Sequence, residues 1–295
     1  MKRYLLFAGF CLFTTLSLLA DGRQYVVATW NMKWLGGSIG QLDDSKNAYR
    51  YVDEILNSKA TIFAIQEVTP SHSDNDIAKC HYLDLIVAGL KKHRQHWTYY
   101  VDLKNESQRL GFLYDSSKWT LTQAKSIAPG NAFGGKMRKP LLGTFQSMEN
   151  PDMMLDVLNI HLKAFPDAAE IRIKQFMQLA EWLKNNRTAP YTIISGDTNI
   201  YKDESDPALP LNEAGFTEAK NDEGTAIHEN ALSQRFDRFY LSRTLTDKVN
   251  AGGDERVVDS RQESIKNTQR RFQTTSRSHL LLSPKSKKHL FLFPV

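Results

Sequence analysis

Tyr191-Thr192-Ile193-Ile194-Ser195-Gly196-Asp197-Thr198-Asn199 is an apolar run closed by a turn residue and two polar side chains. Tyr191 to Ile194 reads as a buried strand, and Gly196 turns the backbone where a carboxylate and an amide emerge two residues apart. Residues i and i+2 of an extended segment share a face, so Asp197 and Asn199 can converge on one phosphate, water or metal ion. Alone, the same letters also describe an Asx-rich turn that caps its own backbone. The readings separate on whether other strands end in the same way.

They do. Tyr25 to Asn31 reads as a first strand, with β-branched Val26, Val27 and Thr29 and polar Asn31 at its exit. Thr61 to Val68 is a second strand that ends in Gln66 and Glu67, and Met153 to Ile160 is another that delivers His161. Strand-like runs also occur at Trp97 to Leu103, Arg109 to Tyr114, Trp119 to Thr122, Pro140 to Phe145 and Phe236 to Leu241, the last with Asp237 near its start. Helical spacing links Ala48, Val52, Ile55 and Leu56, then Leu83, Ile86 and Leu90, and finally Ile173, Phe176, Ala180 and Leu183. Pro166-Asp167 with Glu170 has the spacing of a capped start to that third helix. Helices separate some strands and hairpin-like turns separate others, which is an α+β pattern with two sheets.

The chain has 295 residues, with no Pro/Gly/Ser-rich linker and no internal repeat, so residues 21–295 are expected to form a single domain. Lys2 and Arg3 precede an uncharged, mostly apolar run from Tyr4 to Ala20, the layout of a signal peptide over residues 1–20 cleaved after Ala20. The expected product is exported to the periplasm or outside the cell and has no transmembrane segment. Cys80 is then its single cysteine, which excludes an internal disulfide and leaves stability to the core. Export lowers the formal charge from +5 to +3. From Arg261 onward eight Lys or Arg face one Glu, so residues from about 255 to 295 are a basic tail suited to a polyanion or to plain solvation.

Neither a dinucleotide glycine fingerprint nor a Walker-type loop is present, which removes nicotinamide redox chemistry and P-loop hydrolysis. The polar groups at strand ends are Asn31, Glu67, His161, Asp197, Asn199 and Asp237, with His279 near the C-terminus. Each has a bland reading as a satisfied core or surface group; together they describe a shared site. Oxygen ligands without a cysteine set or a His-x-x-x-His pair favour a hard cation, Mg²⁺ or Mn²⁺, over zinc. Such an ion suits phosphate esters, with a carboxylate positioning water and a histidine managing the proton. Asp237 beside His279 would raise that histidine's pKa. Trp34 reads either as a core tryptophan at the strand exit, the commoner case, or as an aromatic that stacks near the site.

Ala28-Thr29-Trp30-Asn31, Ile65-Gln66-Glu67-Val68, Asn159-Ile160-His161, Ser195 to Asn199 and Phe236-Asp237-Arg238, in this order, resemble the motifs of the endonuclease/exonuclease/phosphatase superfamily. Gln108-Arg109, Arg138-Lys139-Pro140 and the run from His161 through Glu170 make the resemblance closest to deoxyribonuclease I-like nucleases. The resemblance implies a four-layer α/β/β/α sandwich of two mixed β-sheets flanked by helices, and a monomeric DNA endonuclease using Mg²⁺ or Mn²⁺, with Ca²⁺ as a further ion. By the same resemblance Asn31 and Glu67 hold the metal and His161 and His279 are the acid/base pair. Asp197 and Asn199 orient water and phosphate, Asp237 supports His279, and Arg138 and Arg109 bind substrate phosphates.

Two positions depart from the family pattern. Gln108 stands where a carboxylate supports the first histidine, which predicts a neutral partner and a less basic imidazole for His161. Ser278 replaces the Asp before the last histidine, which keeps a hydrogen bond, loses a charge and weakens cation binding. The same scaffold also serves phospholipid and inositol-phosphate hydrolysis, and Ser278 leaves open a nucleic-acid-binding relative with impaired catalysis.

Overall fold

The computed structural model describes residues 14–20, 23–35, 44–69, 80–102, 108–204, 206–219, 227–228, 231–232, 235–252 and 256–259. All lie in the first of the two units, Met1–Ser260 and Arg261–Val295, into which the chain divides. In chain order the first half runs β1 (Thr14–Ala20), β2 (Arg23–Leu35), α1 (Asp44–Ser58), β3 (Ile62–Val68), α2 (His81–Lys92), β4 (Trp97–Val101) and β5 (Arg109–Asp115). There follow β6 (Trp119–Ser126), β7 (Leu141–Ser147), β8 (Met154–His161), α3 (Ala169–Asn186) and β9 (Tyr191–Asp197). The remainder is α4 (Leu209–Glu213), β10 (Phe216–Glu218), β11 (Ile227–His228), β12 (Ala231–Leu232), β13 (Asp237–Ser242), α5 (Arg243–Gly252) and β14 (Arg256–Asp259).

One sheet has the order β14-β1-β2-β3-β5-β4 and the other β10-β13-β9-β8-β7-β6, while β11 and β12 form a separate hairpin. Alternation along each strand explains the layers. Tyr25 and Val27, Ile62 and Ala64, Leu155 and Val157, and Phe239 and Leu241 belong to one core that lies between the sheets. Their neighbours Val26, Ala28 and Trp30, with Phe63 and Ile65, face Val52 and Ile55 of α1 and Leu83 and Ile86 of α2. On the far side Leu158, Ile160, Ile194 and Tyr240 pack against Phe176, Leu179 and Leu183 of α3. The result is the expected sandwich of helices, sheet, sheet and helices.

Pairing is parallel for β2 with β3 and for β8 with β9, each pair joined through a helix, and antiparallel elsewhere in the two sheets. The carboxyl ends of both parallel pairs therefore open toward one rim, the usual place for a ligand in such sheets.

In the full chain Thr14–Ala20, the last part of the expected signal peptide, form strand β1, paired residue by residue with Arg23–Thr29 and, from Thr14 to Ser17, with Arg256–Asp259 on the other side. Two expectations need amendment. Asp167 makes no capping bond; Pro166–Ala168 form a 3₁₀ turn and α3 starts at Ala169 without a side-chain cap. Cys80 is not inside a helix but is the buried residue that precedes α2.

Candidate active site

Two rows of polar side chains lie at the open rim, on the faces that the sheets turn toward each other. The inner row is Thr29, Gln66, Asn159 and Ser195, all fully buried. Gln66 Nε2 donates to Thr29 Oγ1 at 3.0 Å and, across the gap between sheets, to Asn159 Oδ1 at 2.7 Å. Asn159 Nδ2 returns 2.9 Å bonds to the carbonyls of Ile65 and Gly111. One step outward the same faces carry Asn31, His161, Asp197 and Asp237. His161 and Asp237 both sit opposite Asp197 in register, so three strand ends form one line.

Glu67 joins this line by breaking alternation. Ile65 faces the helices, so strict alternation would send Glu67 there as well. Glu67 has φ +57°, the ladder shifts register between Ile65 and Val68, and Val68 packs on the helix side in its place. A bulge of this kind re-aims a side chain at a sheet end. Gly196 is the second local device. It has φ +146°, and a Cβ there would lie 1.9 Å from the Ile160 carbonyl oxygen, so glycine alone lets Asp197 emerge beside His161.

At the centre, Asn31 Nδ2 donates to Glu67 Oε1 and to Asp197 Oδ2, both at 2.9 Å. His161 Nε2 stands 3.8 Å from the same Glu67 oxygen and 3.7 Å from the same Asp197 oxygen. Asp197 Oδ1 accepts the Asn199 backbone N–H at 3.0 Å. Burial pushes the Asp197 carboxyl above its usual range, and the Glu67 charge adds to the rise against the bonds from Asn31 and Asn199. Burial, with the Arg138 charge behind it, holds His161 well below the ordinary histidine range, so the imidazole is neutral.

That cause differs from the one the sequence implied. Gln108 does not touch His161 in any bond seen here; its Oε1 accepts from Arg138 Nη1. Arg138 differs too. Its Nε and Nη2 donate to the carbonyls of His161, at 3.1 Å, and Leu162, at 2.6 Å. It clamps the backbone that carries His161 instead of presenting a fork to substrate, and burial lowers its pKa. Arg109 is 3% exposed within β5, so its guanidinium is withdrawn from any substrate surface as well.

The structure thus brings Asn31, Glu67, His161, Asp197, Asn199 and Asp237 to one rim. Asn199 has φ +50° and its Nδ2 donates to the Leu162 carbonyl at 3.2 Å, so its amide ties two loops together. His279 and Ser278 lie outside the described residues, as does the basic tail from Arg261. Trp34 is not a core residue: it is 40% exposed, with φ +62°, in the irregular last residues of β2, where the register shifts between Asn31 and Leu35. Sequence reasoning passed over Gln66 and Asn159 as parts of the support, although both stand within the motifs it used. It also passed over Arg172, fully buried yet charged. Arg172 pairs with Glu204 and donates to the carbonyls of Lys163 and Phe165.

Glu67, His161 and Asp197 each offer one ligand atom, and these atoms lie within 4.8 Å of one another. Two carboxylates that share a partly buried pocket, beside a neutral imidazole, are an acceptor set short of positive charge, and it fits a hard divalent cation. Asn31 turns its nitrogen to the carboxylates, while its oxygen accepts the Lys33 backbone N–H at 2.9 Å. In this arrangement the amide gathers the two carboxylates.

No protein-family model matches the chain, and no curated protein is significantly similar to it in sequence. Solved structures do match. An endonuclease/exonuclease/phosphatase from Bacteroides vulgatus superposes with a TM-score of 0.56 at 12% identity, covering 73% of this chain and 86% of the other. A humanized TDP2 of D. rerio gives 0.55 at 16% identity over 73% and 82%. A mannosyl-6-phosphatase of Bacteroides thetaiotaomicron gives 0.54 at 16% identity over 73% and 84%. At these identities the likeness is one of fold.

Proposed function

We propose, for a chain with the endonuclease/exonuclease/phosphatase fold, that this rim is a divalent-metal-dependent site for hydrolysing phosphate esters and that its substrate is DNA, cut internally. The observation that carries the proposal is the convergence of Glu67, His161 and Asp197 within 4.8 Å at the carboxyl ends of the two parallel strand pairs. Support for nucleic acid comes from a structurally similar protein, TDP2 of D. rerio, which is complexed with a single-strand DNA product. Export belongs to the same reading, supported by Lys2-Arg3 ahead of the uncharged run to Ala20.

Glu67 and Asp197, with His161, would hold the cation, which supplies positive charge against the phosphate oxygens when bound. Asp197, fixed by Asn31 and by the Asn199 backbone N–H, orients the attacking water beside the cation and accepts its proton. Neutral His161 turns Nε2 toward the two carboxylates while Nδ1 is buried behind it, so Nε2 is the ring nitrogen that would meet the cation as an acceptor. Asn31 fixes the two carboxylates against each other, and Arg138 fixes the backbone below His161. His279, as the partner acid or base, belongs to the proposal by resemblance.

One observation favours a smaller substrate. Arg138 and Arg109, the cations assigned to a DNA backbone, are committed inside the protein, and a phosphomonoester needs fewer such contacts. Purified protein is to be incubated with supercoiled plasmid, with sugar phosphates and with phospholipid vesicles, across a panel of divalent ions. Nicking that stops with chelator and in Asp197→Ala is the expected result; phosphate release from sugars or lipid turnover without nicking would reject DNA.

A further inference from the structure

Past Asn31, in the irregular end of β2, and past His161, beyond β8, the backbone enters the left-handed region at bulky residues: φ is +46° at Lys33, +62° at Trp34 and +81° at Phe165. Such conformations are rare for side chains of this size and persist only where the surroundings impose them. Of the large apolar side chains exposed among the described residues, two are aromatic, and they are these two: Trp34 at 40% and Phe165 at 63%.

The loop under Phe165 is built. Fully buried Arg172 donates to the Lys163 carbonyl at 2.7 Å and the Phe165 carbonyl at 2.8 Å. Its charge is met by Glu204, which also accepts the Tyr201 N–H at 3.2 Å. Burying a guanidinium is unfavourable unless it is fully bonded. Here its bonds hold a strained, exposed phenylalanine in place, which core packing does not explain. Each aromatic also has a lysine close to it in the chain. Exposed Lys33 directly precedes Trp34, and the Lys163 ammonium lies 6.0 Å from the centre of the Phe165 ring.

Both pairs stand close to the reactive cluster. Trp34 is three residues past Asn31 and Phe165 four past His161, a reach of at most about 14 Å of chain. Asn31 and His161 both approach Glu67 Oε1, at 2.9 and 3.8 Å. We propose that Trp34 and Phe165 are stacking platforms for unpaired nucleobases on the two sides of the phosphate site, with Lys33 and Lys163 answering the flanking phosphates. This rests on the phosphodiesterase reading above and deepens it by naming single-stranded nucleic acid as the preferred form. Every base presents a π-face, so such platforms tolerate any sequence, whereas the faces within a duplex are already stacked.

The test compares turnover of oligo-dT with that of an abasic deoxyribose-phosphate oligomer of the same length. The wild type is expected to show a KM about tenfold lower on oligo-dT. Phe165→Ala and Trp34→Ala should each raise that KM about tenfold, leave the abasic KM unchanged and spare melting temperature, with Phe165→Tyr and Trp34→Phe restoring affinity. Equal KM on both oligomers, or variants that match wild type, would overturn the stacking proposal and leave the phosphodiesterase intact. Turnover of neither oligomer would overturn the parent reading and the platforms with it.

Discussion

The Gln66 side-chain nitrogen donates to Asn159 Oδ1 at 2.7 Å across the space between the two sheets, directly beneath the reactive rim. Gln66 precedes Glu67 and Asn159 lies two residues before His161, so one bond sets the distance between the halves of the site. Gln66→Leu strands the Asn159 oxygen in a buried setting. It should cost about 1–3 kcal/mol, read by chemical denaturation. It should also lower kcat more than it raises KM, because the residue touches no substrate.

Gly196→Ala tests the turn that presents Asp197. The new Cβ meets the Ile160 carbonyl oxygen at 1.9 Å, and φ +146° is hostile to any side chain. Strand β9 must then shift away from β8. The variant should melt at a lower temperature than Asp197→Ala and have no hydrolytic activity; a wild-type melting curve would contradict the register described.

His161 gives stability a pH dependence of definite sign. Its folded pKa is depressed by burial and Arg138, so below about pH 6.5 the unfolded chain binds a proton that the fold refuses. The stability is present above that pH and is lost as pH falls toward the folded value, at up to about 1.4 kcal/mol per pH unit. Asp197, with its raised folded pKa, acts in the opposite sense at lower pH. The difference between wild type and His161→Gln, with chelator present, therefore isolates the histidine. Urea titrations from pH 7.5 to 5.0 should converge as pH falls, and parallel curves would contradict the burial argument.

Removing residues 1–20 deletes β1 and leaves β14 without that partner. Asn31 remains held by the pairing of β2 with β3 and by its two carboxylates. The shortened protein should melt several degrees lower and hydrolyse substrate within about twofold of the full chain, since the bonds that hold Asn31, Glu67, His161 and Asp197 together run among those residues themselves. A collapse of activity would mean that β1 supports the site.

Strand ends were legible because an apolar run that closes on Asn31, Glu67, His161 or Asp197 is unusual in sequence and is what a shared rim requires. Alternation within those runs also contained the layer order, as Tyr25 against Val26 or Ile193 against Ile194 shows. Glu67's bulge was hidden, since positive φ at glutamate has no letter of its own. Arg138 was read as a binder of substrate phosphate because sequence carries no sign that its partners would be the His161 and Leu162 carbonyls. The core reading of Trp34 failed because apolar letters report a preference for leaving water and not where the chain will satisfy it.

The central claim is that Glu67, His161 and Asp197 hold a hard cation. A Mn²⁺ titration followed by electron paramagnetic resonance tests it without reference to any substrate. Wild type should bind the ion saturably, while Glu67→Gln and Asp197→Ala should weaken that binding at least about tenfold, each having lost a charged oxygen ligand. Equal affinity in all three proteins, or none in the wild type, would contradict the account.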